Sequence, residues 1–421
     1  MHGKQSVGSV RGESSHQEHP FIALLSADAT QDAGEVYGMH FVYSGNFLAQ
    51  AELSQFDSIR MTMGIHPENF VWKLEQGESF AAPEVVMTYS SEGLSGMTHH
   101  YHDMYRGHLI RGEYRDKKRP ILINNWEATY FDFNTEKLLK IAEQASKLGI
   151  EMLVMDDGWF GHRNDDSTSL GDWKVNEQKL PGGLKSLVEQ VNALGMKFGI
   201  WIEPEMVNPR SELAEKHPDW IVKAGNREIP RMRNQWLLDL SNPKVQDFVF
   251  SVFDNTMKLS PNIDYIKWDA NRHVENAGSE YLPEDKQSHF WIDYTQGFYK
   301  VMERIRAKYP DVLIQACASG GGRVEYGALK YFDEFWTSDN TEALSRTRIQ
   351  YGTSLFYPAT VMGSHVSATP NHQTGNITPI KFRFDIACAG RLGMELQPKR
   401  MDDAEKRFAR KAVASYKAYR D

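Results

Sequence analysis

The amino-acid sequence predicts an α/β fold in which a (β/α)8 TIM barrel follows part of an antiparallel β-sandwich domain. Short β-rich segments fill the chain up to about residue 95. From about residue 120, strand-like apolar runs alternate with helices that have one apolar face, which is typical of parallel βαβ units. About eight such units follow within roughly 280 residues, and this is the size of a closed barrel.

The first part of the chain has the pattern of an antiparallel sheet. Residues 21–25 and 39–43 are short, β-rich and separated by Gly and Asn turns, and residues 58–63 alternate between polar and apolar side chains. This alternation predicts a sheet with one face in water. We therefore predict that residues 1–95 form the C-terminal part of a β-sandwich domain and that residues 96–119 form a helical linker.

The catalytic barrel is predicted over residues 120–398. Leu138, Ile141, Ala142 and Ala145 repeat at helical spacing after the first strand. The eighth strand is either 392–396 or, less favourably, 236–239. A charged terminal helix is predicted over residues 399–421. The seven other strands are predicted at 121–126, 152–155, 198–202, 265–269, 312–317, 335–339 and 360–363.

Nucleotide-binding folds are disfavoured by the glycine pattern. A doubly wound sheet is the alternative architecture, but it usually needs fewer strands and a glycine-rich first turn, and no GxGxxG follows the first predicted strand. The Gly320-Gly321-Gly322 run lacks the Lys-Ser/Thr of a phosphate-binding loop. We therefore predict no nucleotide site.

The composition describes an acidic protein of ordinary apolar content. The net charge is −8, with 41% apolar and 25% charged residues. This balance argues against nucleic acid or an anionic membrane as the main partner, and it leaves a neutral sugar open. No stretch reaches the ~18 apolar residues of a membrane span, and residues 1–6 have no signal-like apolar run. Two cysteines, Cys317 and Cys388, allow at most one disulfide, which favours a reducing, cytoplasmic compartment.

Polar or acidic residues stand at the carboxyl end of nearly every predicted strand. In a barrel these ends converge on one face, where active sites lie. A single Asp at such a position is most often a helix cap. Several acids at one mouth would repel each other and would need cations, protons or a hydroxyl-rich ligand. The set comprises Trp126, Glu127, Asp156, Asp157, Glu203, Glu205, Lys267, Asp269, Cys317, Ser319, Gly320 and Asp339.

Two of these carboxylates differ in their predicted surroundings. Lys267 and Asp269 are two residues apart on a strand and so point the same way. An ammonium group favours an ionised carboxylate, which suits a nucleophile, although an ordinary structural ion pair has the same pattern. Asp339 follows the aromatic pair Phe335-Trp336, where a raised pKa would suit a general acid. Glycoside hydrolysis requires two carboxylates with opposed environments.

Histidines offer an alternative reading as metal ligands. Residues 99–102 contain an HxH, but it lies in the linker before the first barrel strand. A metal-dependent barrel hydrolase would place this motif at the end of the first strand, where residues 124–127 read NNWE. His365 and His372 follow a barrel strand, and polar loop packing explains them. We therefore predict neither a metal nor a cofactor.

Longer motifs strengthen the hydrolase interpretation. They are SSHQ at 14–17, DDGWFG at 156–161, WIEPE at 201–205, KWDANR at 267–272, CASGGGR at 317–323, WTSDNT at 336–341 and PNHQ at 370–373. Together they resemble glycoside hydrolase family 36, the microbial α-galactosidases or melibiases, from about residue 12 to the end of the chain. Members of that family carry a large N-terminal β-sandwich and a C-terminal β domain. The resemblance therefore implies that this chain is truncated and that its C-terminal β domain is absent.

The resemblance also implies roles for individual residues. Asp269 would be the nucleophile and Asp339 the general acid/base. Asp156 and Asp157 would bind the galactose hydroxyls at C4 and C6, and Lys267 and Arg233 would lie beside them. The rest of the implied substrate-binding set is Trp201 in the sugar pocket, Cys317 and Gly320 near the C2 hydroxyl, Trp126 on the aglycone side, and Asn271 and Trp336.

The implied activity is that of a retaining α-galactosidase. Such an enzyme hydrolyses terminal non-reducing α-D-galactosides of the melibiose and raffinose type by double displacement through a covalent galactosyl-enzyme. Its partner would be a small oligosaccharide, and full-length relatives would form homo-oligomers, as tetramers. Two alternatives stay open at this point: a galactosyltransferase of the same clan, similar to raffinose synthases, and an inactive sugar-binding fragment.

Overall fold

Two small antiparallel sheets form the N-terminal part of the molecule. The computed structural model describes residues 3–230 and 232–420. The first sheet has the strand order β1-β4-β5 and the second has the order β2-β3-β6. The strands are β1 Gly3–Ser9, β2 Phe21–Leu25, β3 Val36–Val42, β4 Phe47–Leu53, β5 Ile59–Ile65 and β6 Glu84–Ser90.

Strand β5 shows why the polar–apolar alternation predicted a sheet. Met61 and Met63 are half-buried, whereas Arg60 and Thr62 are exposed. Successive side chains of a strand point to opposite faces, so one face of β5 packs and the other meets water. Strand β3 lies in the middle of its sheet, and Val36 and Phe41 on it are completely buried.

A seam of aromatic and histidine rings joins the second sheet to the rest of the molecule. The ring of His40 stacks on Tyr326, with 3.6 Å between centroids. Nε2 of His40 lies 3.0 Å from the Tyr357 hydroxyl, and Nε2 of His19 lies 2.9 Å from the same oxygen. Burial lowers the pKa of His19 to about 4 and that of His40 well below its ordinary value. Both rings are therefore neutral at pH 7. We call these four residues the histidine seam.

A helix and a π-helical turn connect the sheets to the barrel, where the sequence predicted a helical linker. Helix α1 spans Gly93–Met104, the π turn spans Tyr105–Leu109, and a 3₁₀ turn follows at Glu113–Arg115. Tyr101 and Tyr105 are buried, which anchors this segment on the core.

Eight parallel strands close into the predicted barrel. Strand β16 pairs with β7, with Gly393 opposite Leu122, and this pairing completes the ring. The barrel strands are β7 Leu122–Asn124, β8 Met152–Met155, β9 Lys197–Ile202, β12 Ile263–Trp268, β13 Leu313–Ala316, β14 Glu334–Trp336, β15 Met362–Ser367 and β16 Arg391–Glu395; a pair between β9 and β12 comprises β10 Met206–Val207 and β11 Trp236–Leu237.

The structure decides between the two candidates for the eighth strand. Strand β16 fills that place, so the favoured prediction at 392–396 is confirmed to within one residue. The alternative at 236–239 is wrong, because β11 pairs antiparallel with β10 outside the ring. The apolar residues at 236–238 have the pattern of a barrel strand, but only two of them form a strand.

The helices cover the barrel with the faces that the sequence predicted. Leu138, Ile141, Ala142 and Ala145 are buried on α3, and the side chain of Asn134 caps that helix by accepting from Lys137 N. After α1, the helices are α2 Trp126–Thr129, α3 Thr135–Ser146, α4 Gly183–Ala193, α5 Glu212–Lys216, α6 Pro243–Lys258, α7 Phe290–Lys308, α8 Ala343–Ser354, α9 Ile380–Ala387 and α10 Asp403–Tyr419.

The charged terminal helix α10 packs on the barrel as its last outer helix. Asp402 and Glu405 form a capping box at its start. Ala409, Val413 and Tyr416 are buried, and the Tyr416 hydroxyl donates to the Gly390 carbonyl at 3.0 Å, just before β16. Among the described residues, no helix is both long and apolar enough to cross a membrane.

Candidate active site

One cavity opens at the carboxyl ends of the barrel strands. The space between its walls, including the open mouth, is about 530 Å³. Six carboxylates, two permanent cations and three tryptophans face it, so a hydroxyl-rich ligand suits it better than an apolar one. The lining residues are Trp126, Glu127, Asp156, Asp157, Trp201, Arg233, Lys267, Asp269, Asn271, Trp336, Asp339, His372, Gln373 and Glu395.

Asp269 directly follows β12 and is held by several donors. Its Oδ2 accepts from Trp201 Nε1 at 3.0 Å and from Asn271 Nδ2 at 2.8 Å, and its Oδ1 accepts from Ala270 N at 2.9 Å. Burial raises the pKa of this carboxyl, but the Lys267 ammonium and the donated hydrogen bonds outweigh burial and hold the pKa below its ordinary value. Asp269 is therefore ionised at neutral pH.

Asp339 follows β14 and has the opposite electrostatic environment. The protein surrounds it, and this enclosure together with the charge of Asp269 raises its pKa. Lys267, Arg233 and a 3.0 Å hydrogen bond from Trp336 Nε1 oppose the rise without cancelling it. The side chain nevertheless remains solvent-accessible at the cavity mouth. A carboxyl with a raised pKa and an open path to substrate can deliver a proton.

Lys267 and Asp156 form a buried ion pair on the cavity floor. The Lys267 ammonium donates to Asp156 Oδ2 at 2.8 Å, and Asn124 Nδ2 donates to the same oxygen at 2.6 Å. The sequence analysis placed the ammonium beside Asp269. The structure shows that the hydrogen bond goes to Asp156 and that Lys267 acts on Asp269 through its charge. The side chain lies between two carboxylates, and only one of them is close enough to bond.

Asp157 has a separate cation, which the sequence analysis did not identify. Arg163 grips it with two parallel hydrogen bonds, Nε to Oδ1 at 2.6 Å and Nη2 to Oδ2 at 2.8 Å. Burial raises the pKa of Asp157, and the guanidinium opposes that rise. A bidentate pair of this kind fixes the direction of both carboxylate oxygens.

Glu203 and Glu205 lie behind the cavity wall and do not line it. Glu203 accepts from Asn271 N and Gln235 Nε2, and burial raises its pKa to about 8. Glu205 is gripped by Arg323 at 2.8 Å and 3.0 Å. Their expected place at the barrel mouth is therefore corrected: both carboxyls brace the wall from behind.

The structure brings ten of the twelve predicted site residues to one cavity, and their individual roles stay predictions. Cys317 and Gly320 are the exceptions. The Cys317 side chain is buried, and its backbone N–H donates to the Trp268 carbonyl at 2.8 Å. Gly320 pairs with Ser338 through the backbone. The ten are Asp269, Asp339, Asp156, Asp157, Trp201, Arg233, Lys267, Asn271, Trp126 and Trp336.

Four lining residues lie outside the predicted catalytic and substrate-binding set, although Glu127 was among the acids predicted at the barrel mouth. Glu127 accepts from Thr341 Oγ1 at 2.8 Å and lies 3.4 Å from His372 Nδ1. Glu395 lies 2.9 Å from His365 Nδ1, and burial raises its pKa to about 8. Glu395 ends the eighth strand as the other acids end theirs, so the same positional signal could have identified it. The four are Glu127, His372, Gln373 and Glu395.

The histidine motif of α1 is occupied by local contacts. His100 bonds Thr88 and His102 Nε2 bonds the Ser354 carbonyl, both at 2.8 Å. Within the part of the chain that the structure describes, no group of three or more His, Cys, Asp or Glu side chains is placed to hold a metal ion. Positive charge reaches the acidic cavity from Lys267 and Arg233, and from Arg163 behind Asp157.

Comparison with known proteins identifies the family. A model described as Melibiase matches residues 79–421, and the model of the glycosyl hydrolase family 36 N-terminal domain matches residues 1–75. The chain belongs to the melibiase family. The match begins at the first residue, earlier than the sequence resemblance placed it.

Curated melibiase relatives align along nearly the whole chain. Alpha-galactosidase AgaA of Geobacillus stearothermophilus is 52% identical over 418 residues, which are 99% of this chain and 57% of that protein. The bifunctional alpha-galactosidase/sucrose kinase AgaSK of Mediterraneibacter gnavus is 48% identical, over 99% of this chain and 44% of that protein. The chain thus spans 57% of the length of the first relative and 44% of the length of the second.

Solved melibiase structures have the same fold. The crystal structure of AgaA superposes with a TM-score of 0.98 at 52% identity, covering 100% of this chain and 58% of that one. The Lactobacillus brevis alpha-galactosidase gives 0.98 at 44% identity, covering 100% and 56%. Substituted forms of AgaA are known in complex with stachyose and with raffinose.

Proposed function

We propose that this chain forms the catalytic site of a retaining α-galactosidase. The observation that carries the proposal is the pair Asp269 and Asp339 on one cavity, one carboxyl with a lowered pKa and one with a raised pKa. Double displacement needs this division, since one carboxyl must attack as an anion while the other gives a proton. Membership of the melibiase family supports the substrate class.

In the first step, a carboxylate oxygen of Asp269 attacks the anomeric carbon. The bond from that carbon to the leaving-group oxygen breaks, and Asp339 gives its proton to the departing oxygen. The product is a galactosyl ester of Asp269. Trp201 and Asn271 keep the attacking carboxylate oriented.

In the second step, water replaces the leaving group. Asp339, now ionised, takes a proton from the water as its oxygen attacks the anomeric carbon, and the ester bond to Asp269 breaks. Two inversions at one carbon give net retention. The mechanism requires the two carboxyl groups to lie about 5–5.5 Å apart.

Recognition of galactose is assigned to the two buried ion pairs. Asp156 with Lys267 and Asp157 with Arg163 present charged oxygens and an ammonium in fixed directions. Directional, charge-assisted hydrogen bonds distinguish an axial from an equatorial hydroxyl. The AgaA complexes with raffinose and stachyose support a small oligosaccharide as the partner.

Substrate discrimination tests the proposal directly. The purified chain is assayed with an aryl α-galactoside, the matched α-glucoside and the matched α-N-acetylgalactosaminide. We expect kcat/KM for the galactoside to exceed the others by at least about a hundredfold, because a site built to bond one hydroxyl rejects its epimer. Equal turnover of galactoside and glucoside would refute the assignment, and transfer to added sugar in place of hydrolysis would favour a transferase.

The stereochemical course tests the mechanism separately. Proton NMR follows the first sugar released from an aryl α-galactoside, before mutarotation. Retention predicts α-galactose as the first product. Release of β-galactose would show a single inversion and would remove Asp269 from the nucleophilic role.

A further inference from the structure

A short loop after strand β13 contacts the surroundings of both carboxylates. We call residues 318–322 the brace loop. Ser319 Oγ donates to Asn271 Oδ1 at 2.8 Å, and Asn271 Nδ2 in turn donates to Asp269. On its other side, Gly320 pairs with the backbone of Ser338, the residue before Asp339. A Cβ at Gly320 would lie 2.6 Å from Asp339 N, so a residue with a side chain would not fit here without displacing the Asp339 backbone.

Ser319 has a backbone conformation that it would not adopt alone. Its φ is +47°, in the left-handed region that disfavours residues with a Cβ. Such a residue persists only where its neighbours fix it, and these residues cluster at active sites. Arg233, whose φ is +51°, reaches the same point: its Nη1 donates to Asn271 Oδ1 at 2.7 Å and to Ser319 Oγ at 3.1 Å.

The fixing contact comes from the N-terminal part of the chain. His16 Nε2 lies 2.8 Å from the Ala318 carbonyl and 2.9 Å from the Ser319 carbonyl. Carbonyl oxygens only accept, so Nε2 carries the hydrogen and serves both. Ser14 Oγ adds a hydrogen bond to the Gly322 carbonyl at 3.1 Å. One histidine therefore holds the two carbonyls on either side of the Ser319 backbone.

The brace loop is shaped around the His16 ring. A Cβ at Gly322 would lie 2.8 Å from His16 Cε1 and 2.6 Å from the Ala318 carbonyl oxygen. Any side chain at 322 would displace the ring. The sequence motifs SSHQ at 14–17 and CASGGGR at 317–323 thus meet here, and their contact accounts for a histidine in the first and a third glycine in the second.

The arrangement decides which way the Asn271 amide faces. Ser319 and Arg233 both donate to its oxygen, which leaves its nitrogen facing the Asp269 carboxylate. A flipped amide would point its oxygen at a carboxylate and would lose a donor to the charged group. The Ser319 hydroxyl and the Arg233 guanidinium therefore together orient Asn271, which is one of the donors that stabilise ionised Asp269.

We propose that His16 and Ser319 are positioning residues for Asp269: His16 holds the left-handed backbone of Ser319, whose hydroxyl orients the Asn271 amide onto the carboxylate. The inference rests on the proposed function only in naming Asp269 as the nucleophile. Through His16, the N-terminal part of the chain positions a carboxylate of the barrel as well as packing against it.

Variants separate the hydroxyl from the backbone. Ser319→Gly accommodates the left-handed conformation and removes the side chain that carries the hydroxyl. His16→Ala removes the imidazole N–H, and His16→Gln restores an N–H at about the position of Nε2. We expect Ser319→Gly and His16→Ala each to lower kcat by about fivefold, the value of one ordinary hydrogen bond, with little change in KM. His16→Gln should recover most of the loss.

The acid limb of the kcat/KM profile is the second measurement. Losing the oriented Asn271 donor destabilises the ionised carboxylate, so the limb should move to higher pH in both variants. The groups that still act on Asp269 are unchanged in each variant: Lys267, Arg233, Asp339, Glu203, Asp157 and Cys317.

Gln17→Ala is the matched control. Gln17 is the neighbour of His16, is equally exposed, and bonds Arg11 at 2.7 Å and not the brace loop. This variant should keep the parental kcat and pH profile. The double variant His16→Ala/Ser319→Gly should be no slower than Ser319→Gly alone, because both substitutions remove the same link.

A spectroscopic measurement makes the inference independent of substrate. The indole N–H of Trp201 bonds Asp269, so its ¹H–¹⁵N resonance, assigned with Trp201→Phe, reports the setting of that carboxylate. It should shift in Ser319→Gly and His16→Ala and stay fixed in Gln17→Ala. If the parental protein hydrolyses no galactoside while this resonance still responds, the proposed function fails and the positioning role stands.

Three results would overturn the positioning role. The first is a parental kcat and an unmoved Trp201 resonance in Ser319→Gly. The second is a His16→Ala variant whose melting temperature falls while kcat and the pH profile stay parental, which shows a structural contact alone. The third is multiplicative losses in the double variant, which shows two independent effects.

Discussion

The carboxyl ends of β12 and β14 carry the same side chain in two different settings. Asp269 receives three hydrogen bonds and faces the Lys267 ammonium, and its pKa is lowered. Among the described residues, Asp339 receives one, from Trp336, and its pKa is raised by enclosure and by the charge of Asp269. Chemically identical groups therefore have opposite pKa shifts, because their donors, neighbouring charges and enclosure differ.

Removing the carboxylate whose pKa is lowered should cause the largest loss. Asp269→Ala deletes the attacking group, and we expect kcat to fall by at least about 10⁴-fold. Added azide should restore part of the turnover and give the β-galactosyl azide, because a small anion fits the vacated space. Asp247→Ala, which changes an exposed carboxylate paired with Arg304, is the control. An Asp269→Ala enzyme that keeps most of its activity without azide would contradict the assignment.

Removing the proton donor should cause a loss that depends on the leaving group. In Asp339→Ala, oligosaccharides should lose about 10²–10⁴-fold in kcat/KM, the range of general acid catalysis. Activated nitrophenyl galactosides need little proton assistance, so their loss should stay below about tenfold. Both substrates are assayed on one enzyme preparation. Equal losses would mean that Asp339 does something other than protonate the leaving group.

Removing one hydrogen-bond donor from Asp269 should bring its pKa closer to that of Asp339. Trp201→Phe removes the indole N–H from the carboxylate, and a hydrogen bond to a charged group contributes roughly 1.5–3 kcal/mol. Its pKa should rise by about one unit or more, so the acid limb of kcat/KM should move to higher pH. Trp173→Phe is the matched control, since that ring packs 6.2 Å from Trp201. An unmoved acid limb would show that the indole N–H of Trp201 does not stabilise the charge of Asp269.

Removing the indole donor from Asp339 should cause the smallest change in the pH profile. Trp336→Phe removes the N–H that partly stabilises ionised Asp339, so the pKa of Asp339 rises further. The alkaline limb of kcat/KM should then move to higher pH, by less than about one unit because the group is solvent-accessible. The acid limb of the same variant serves as the internal reference. A shift of the alkaline limb to lower pH would contradict the sign of this contact.

The sequence was sufficient for the barrel and for the residues at its strand ends. Buried parallel strands are apolar runs, and the polar residue that ends each run marks the mouth, so Asp156, Asp269 and Asp339 could be placed together from the pattern alone. The N-terminal sheets followed from the alternation in β5. These three residues could be assigned to one barrel mouth without any knowledge of the loop conformations.

Pairings made by loops could not be predicted. Arg163 lies in the loop after β8 and His372 in the loop after β15, and nothing in their local sequence states which carboxylate they meet. The choice of Lys267 between Asp156 and Asp269 depends on distances of a few ångströms across the barrel. Glu203 also follows a strand, but its side chain faces away from the cavity. Spacing alone cannot distinguish such an acid from one that faces the cavity.

The histidine seam sets an acid limit for the assembly of the two parts. The unfolded chain would bind protons on His19 and His40 near pH 6.5, whereas in the folded protein His19 stays neutral until about pH 4 and His40 resists protonation further. Between those pH values unfolding takes up protons, so the free energy of unfolding falls as the pH is lowered. Since the seam lies between the N-terminal sheet and the barrel, acidification should weaken the contact between them, and with it the hold of His16 on the brace loop.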